Sequence, residues 1–498
     1  MSTTIPQRAA QGATPPVAGG APSRRDFFRR ALGGSTELAP IQQVAYSTVP
    51  PPAAWGDVRL RLVRRATMGI TPGDVIDVSS LGYQQWLNRQ VNYTRIDDSA
   101  CEAVVAARYP FLAMSPLALV DQNAGPVQNQ LQEATIYRAA FSNRQLYQRM
   151  VEFWSDHFNI SRPKVGYLKV VDDREVIRKH ALGRFSDLLV ASAHSPAMLA
   201  YLDQNQSRAG RPNQNYVREL MELHTLGVDG GYTQQDVDEL ARVFTGWSIS
   251  NTGEFVFLAN RHDYTAKTVL GVNIPATSPA TGAAGQQEGE QMLAFLVNHP
   301  STSRFIARKL LQWFITAEPT STQIEAIAGV FRATRGDLKL TVRAVLNEGW
   351  IGGAPAKLKR PFHLVVSALR AVSPSVATLA SMNTQVRVAG QPLFLYETPD
   401  GYPDLIEYWS GNLLPRWNFG TTLANLANAS TINVDVTLYL AGTPEAAIDM
   451  IATEFFGDEL SLATRAALLT YLRGGTFNAT RMRETMALAI ASAEFQWY

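Results

Sequence analysis

The sequence predicts a mainly α fold: a large multi-helix globular domain with long loops and little or no sheet. Three observations predict it. Segments of helical hydrophobic period follow one another from Trp55 onward, Gly, Pro, Asn and Asp punctuate them, and alternating strand patterns do not recur at short spacing. With 498 residues the chain can bury a core without disulfide or metal staples.

Residues 1–52 are rich in Ala, Pro, Gly, Ser and Thr and lack any period, so they read as an unstructured leader before a single α-helical domain over 53–498. Within the leader, Ser23-Arg24-Arg25-Asp26-Phe27-Phe28-Arg29 resembles a twin-arginine export signal, although Gly33, Gly34, Glu37 and Pro40 interrupt the apolar stretch that should follow. The expected location is therefore periplasmic or secreted, with a cytoplasmic one as the alternative.

In the body, Leu146, Met150, Phe153, Trp154 and Phe158 form a helical stripe over 143–158. The stretch 185–201 continues in kind, with Pro196 opening a second helix at its first turn. Thr233 caps a helix that carries Asp236 in its first turn. Further helices are expected over 301–314, with Ser301 as cap, and over 321–332, 338–347, 360–371, 444–456, 461–472 and 480–492. The Ala-, Thr-, Gly- and Gln-rich stretch 276–290 and the stretch 381–403 read as loops. No fixed-period repeat supports a solenoid.

Composition excludes several function classes. Lys and Arg total 45 against 43 Asp and Glu, so no strong field would draw in nucleic acid or an anionic membrane. Cys101 is the single cysteine, which removes intrachain disulfides and Cys-rich zinc sites; any metal would need His, carboxylate or carbonyl ligands. No run reaches the roughly 18 apolar residues of a membrane-spanning helix. HExxH, GxSxG, Walker and GxGxxG signatures are missing too.

The polar segments that could carry chemistry are three. On a helix over 213–226, Arg218, Glu219 and Glu222 share a face, and His224 lies in the last turn before Gly227. Two carboxylates at i, i+3 could share a divalent metal or divide acid and base roles; an Arg218–Glu222 ion pair with a solvated Glu219 is the plainer alternative. Asp156 and His157 stand among Phe153, Trp154 and Phe158, where a titratable group is desolvated. The third segment, Arg261 to Lys267, places His262, Asp263 and Lys267 together in a loop. A carbohydrate-binding reading would instead require Trp154, Trp247, Trp409 and Trp417 to be exposed.

These residues resemble a bacterial family, domain of unknown function 1800. The resemblance runs from Leu62-Val63-Arg64-Arg65-Ala66 through Phe153-Trp154 with His157-Phe158, is strongest over Asn213 to Gly231 and Ala241 to Trp247, and continues through His262-Asp263, Lys267, Lys359 with Pro361, and Pro399-Asp400-Gly401-Tyr402-Pro403. His363 departs from the pattern, standing where an acidic residue is expected. The resemblance implies an α-helical, often exported protein and supplies no reaction. The sequence-level expectation is an exported hydrolase acting on a polymer or ester. In it His157, Glu219, Glu222, Arg218 and Lys267 are catalytic, and His224, His262 and Asp263 bind a divalent metal. The rival is a non-catalytic envelope scaffold or partner protein, in which the same residues form a buried network.

Overall fold

The computed structural model describes residues 55–278 and 283–498. The leader and its paired arginines lie outside the described residues. Helices dominate, and the strands form three two-stranded antiparallel pairs: Trp247–Ile249 with Phe255–Phe257, Lys267–Val269 with Val272–Ile274, and Ser375–Val376 with Ile432–Asn433. The mainly α reading therefore stands, with short hairpins added.

Local rules place the helix ends. Thr233 and Asp236 form a reciprocal capping box that opens Gln234–Val243, and Pro196 occupies the first turn of Pro196–Tyr201. One cap is corrected: His299, not Ser301, caps Pro300–Phe314, its Nδ1 accepting the Ser301 N–H at 3.2 Å. The stretch read as a loop over 276–290 is also corrected, because a helix, Ala283–Asn298, begins inside it. Its glycines serve close packing rather than a turn: a Cβ on Gly285 would lie 2.7 Å from the His262 ring, and one on Gly289 2.5 Å from Trp247. The 381–403 stretch likewise opens as a helix, Ala380–Val388, and only its remainder is loop.

Pro51–Tyr498 is one compact unit with two main apolar cores. The first gathers residues from Leu60 to Ala354 and includes Leu146, Met150, Phe153 and Trp154 of the Gln145–His157 helix. The second is built on the Pro361–Val372 helix and the C-terminal helices Leu413–Ala424, Pro444–Phe456 and Ala479–Ala491. Arg360 caps the Pro361–Val372 helix and reaches Asp156 on the Gln145–His157 helix, so the two cores meet through a charged contact. Among the described residues no helix is long and apolar enough to cross a membrane. Trp154 and Trp247 are buried in the first core, Trp409 is buried as well, and of these four only Trp417 is exposed, which removes the aromatic platform a carbohydrate-binding reading needs.

Candidate active site

The three polar segments fold to different places. Gln214–Glu219 is α-helical, but the chain then widens into a π-helical turn, Leu220–Thr225, marked by the Leu226 N–H donating to the Met221 carbonyl at 2.7 Å. Arg218 and Glu222 both remain near Tyr232, while Glu219 is buried and partnered. Arg218 donates to Gln234 at 2.9 Å, and Glu222 bonds the Tyr232 hydroxyl. The same turn carries His224 into the interior beside His157, with ring centroids 6.2 Å apart.

The 262–267 segment builds a separate network. Glu288, from the Ala283–Asn298 helix, accepts from the Lys267 ammonium at 2.7 Å and sits 3.2 Å from His262 Nε2, while Thr277 donates to its other oxygen at 2.9 Å. All of its three principal members are buried: His262, Lys267 and Glu288. Burial alone would raise the Glu288 carboxyl, but bonds from His262 and Lys267 outweigh it and hold the group below its ordinary range. Asp263 turns away to an Arg242 ion pair at 2.9 Å, with two further bonds from Thr265. His224, His262 and Asp263 thus do not form one donor set. Among the described residues the group of that kind is Asp98, Cys101 and Glu102, where Glu102 is held by Arg138 and Asp98 by Ser142 and Asn143.

His157 lies elsewhere, at a pocket of about 300 Å³ whose wall also includes Asp156, Lys309, Trp313, Arg360, Asp400 and Tyr402. Four pieces of chain assemble it. The Gln145–His157 helix contributes Asp156 and His157 from its last turn, and Pro300–Phe314 contributes Lys309 and Trp313. Arg360 comes from the cap of the next core, and the 399–405 loop supplies Asp400, Tyr402 and Asp404. That loop can close only because Gly401 has no side chain: its φ is +72° and a Cβ would fall 2.2 Å from the Asp156 carbonyl oxygen.

Most charges here are committed. Arg360 donates to Asp156 at 2.6 Å and lies 3.8 Å from Glu152, which in turn accepts from Arg149 at 2.8 Å. Desolvation raises both the Asp156 and Glu152 carboxyls, and the nearby arginines offset it only in part. Lys357 pairs with Asp404 at 2.5 Å. Lys309 differs. Among the described residues its ammonium has no hydrogen bond or ion pair, and desolvation brings it down to about 8 despite the attraction of Asp156 and Asp400. His157 donates from Nε2 to the His224 carbonyl at 3.1 Å, which leaves Nδ1 as a buried acceptor with no partner; His224 Nε2 is also unpartnered. Desolvation first, then Lys309, depresses both imidazoles, His224 to about 3, so both rings are neutral near pH 7.

Of the residues nominated from sequence, the structure brings His157 together with His224, and His262 with Lys267, as two separate groups. It adds Lys309, Arg360, Asp400 and Asp404 to the first. Lys309 stands four residues from both Phe305 and Trp313 on its helix, and that aromatic flanking was the signal available in the sequence.

The pocket, with its unpaired amine and neutral imidazole, is set in a mainly α-helical protein. The family model described as Protein of unknown function (DUF1800) matches residues 61–497, and the chain belongs to that family. Comparison with curated proteins gives no match, and comparison with solved structures gives none either.

Proposed function

We propose that this protein is a hydrolytic enzyme whose reaction centre is the Lys309 pocket. The observation that carries the reading is the Lys309 amine itself: unpaired, half-buried, titrating at about 8, and facing a cavity it shares with His157 and the Arg360-held Asp156. An amine with that affinity for protons exchanges one near neutral pH, the requirement for a general base that activates water and then protonates a leaving group. His157, neutral and with a free Nδ1 lone pair, offers an acceptor, and Arg360, bonded to Asp156, lies in the same wall. Glu219, Glu222, Arg218 and Lys267, set in other contacts, have no direct part in this reading. A periplasmic or secreted location, suggested by Arg24-Arg25, would suit an ester- or polymer-cleaving enzyme.

Short p-nitrophenyl esters test the proposal. The expected result is turnover above buffer that rises with pH to a plateau above about 8, and a loss of about 10²–10⁴-fold in Lys309→Met with the fold retained by circular dichroism. Hydrolysis equal in wild type and variant would remove Lys309 from the chemistry. The rival envelope-scaffold reading draws on the His262–Glu288–Lys267 network, whose groups bond one another in the interior as structural groups do. Absence of turnover, together with a pull-down partner whose capture survives Lys309→Met, would favour that rival.

A further inference from the structure

A second cavity, smaller and distinct from the Lys309 pocket, lies where the Val58–Ala66 helix meets the second core. Its wall includes Arg64, Lys359, His363, Ser367, Glu494 and Phe495. Its volume of about 10 Å³ leaves room for one species the size of a water molecule. The basic groups around it are buried and under-used. Lys359 is 6% exposed, and among the described residues its ammonium has no hydrogen bond or ion pair; Nζ sits 3.9 Å over the Phe495 ring. His363 is 1% exposed and its Nε2 has no partner. Arg64 spends Nη2 on the Phe456 carbonyl at 2.6 Å and on Glu459 at 3.0 Å, while its buried Nε is unpartnered.

The one side-chain carboxylate in the wall is occupied elsewhere. Glu494 accepts the Ser461 N–H at 3.0 Å and the Thr464 hydroxyl at 2.6 Å, and it also takes the Ser461 hydroxyl. Arg64 and Arg416 act on Lys359, and Arg149, Lys359, Arg360 and Arg65 act on His363, while Glu459 and Glu494 act on Arg64, so cations outnumber carboxylates around the cavity. Burial and these cations push the Lys359 ammonium well below its ordinary range. An unpaired buried ammonium is costly, and an anion in contact with it removes most of that cost.

We propose that this cavity is a binding site for a monatomic halide, chloride or bromide, held by Lys359 with the unpartnered Arg64 Nε–H and with His363 in the tautomer that protonates its unpartnered Nε2. The space is too small for a four-oxygen anion such as phosphate or sulfate, which sets the ligand class by size as well as charge.

The test uses the full chain, melted in sodium chloride and in sodium gluconate at equal ionic strength. Wild type is expected to gain about 1.5 °C in Tm at roughly tenfold saturation with chloride, and Lys359→Met to lose that dependence. Comparing the two proteins cancels general salt effects. An equal Tm in both salts for wild type, or a chloride-dependent rise that persists in folded Lys359→Met, overturns the proposal. Should the variant fail to fold, wild-type crystals soaked in sodium bromide decide: an anomalous peak within hydrogen-bonding reach of Lys359 Nζ supports the site, and its absence there overturns it.

Discussion

Replacing Lys309 by Met asks whether the pocket stores an unsatisfied charge. Below pH 8 both folded and unfolded chains bind the proton, and the folded state carries the full cost of a desolvated ammonium. Between about 8 and 10.5 the unfolded chain keeps the proton and the folded one releases it, so wild-type stability climbs with pH through that window. A fall from 10.5 to about 8 has an upper bound of about 3.4 kcal/mol, at about 1.36 kcal/mol per tenfold change in proton affinity. Lys309 is half-buried, and solvent screening cuts the expected effect to about 2 kcal/mol. Methionine keeps an unbranched side chain, gives up the contact of Nζ with the Phe305 ring at 5.7 Å and removes the charge. Lys309→Met should therefore be more stable than wild type by about 2 kcal/mol at pH 7, with the gain shrinking at pH 9.5. Urea midpoints at the two pH values measure it. A variant less stable than wild type at pH 7, or a difference that does not change with pH, would refute the reasoning. A stabilised protein that has also lost turnover is the usual signature of a strained functional group.

Three further outcomes follow from the same geometry. Glu288→Ala strips the partner from buried Lys267 and His262 and should cost about 3–5 kcal/mol in urea denaturation, while Glu288→Leu combined with Lys267→Met should recover much of it. Gly401→Ala meets both a positive φ and the Asp156 carbonyl, so Tm should fall by several degrees and the pocket's turnover should drop with it. His224 is held at about 3 against an ordinary 6.5; the unfolded chain binds more protons below 6.5, so stability is present above that pH and is lost as pH falls toward 3. His224→Gln should lose less Tm than wild type between pH 7.5 and 5, and an identical loss would mean that the ring stays solvated.

What the sequence made legible was local. Helices with a strong stripe, such as Gln145–His157, and caps with their own chemistry, such as Thr233 with Asp236, follow from neighbours a few residues apart. His157 could be read as desolvated because the aromatics that desolvate it, Phe153, Trp154 and Phe158, are its own sequence neighbours. The errors share a different cause. Gly285 and Gly289 lower helix propensity, and the sequence offers no sign that Trp247 and His262 will press against them, so the pattern there is that of a loop and does not point to Glu288 as the partner of Lys267. Regular 3.6-residue winding after Glu219 is what the sequence implies, whereas the chain widens there into a π turn that holds His224 in the interior.

Lys309 owes its state to pairings far away in the chain. As a sequence position it is an ordinary lysine on an amphipathic helix, and what distinguishes it is a negative property of the fold. Arg360 reaches Asp156 across 204 positions and Lys357 reaches Asp404 across 47. The first of those pairings takes up Asp156, one of the two carboxylates that attract Lys309, and the amine is left facing the cavity. A reactive group of this kind is made by the commitments of its neighbours. Asp404→Asn should therefore act in the direction opposite to removing the amine: it frees Lys357 beside the pocket, adds uncompensated positive charge, and lowers the Lys309 proton affinity further. The pH at which turnover reaches half its plateau should then shift to lower values; a shift upward would mean that Lys357 moves away and that the charges of this pocket are not coupled as described.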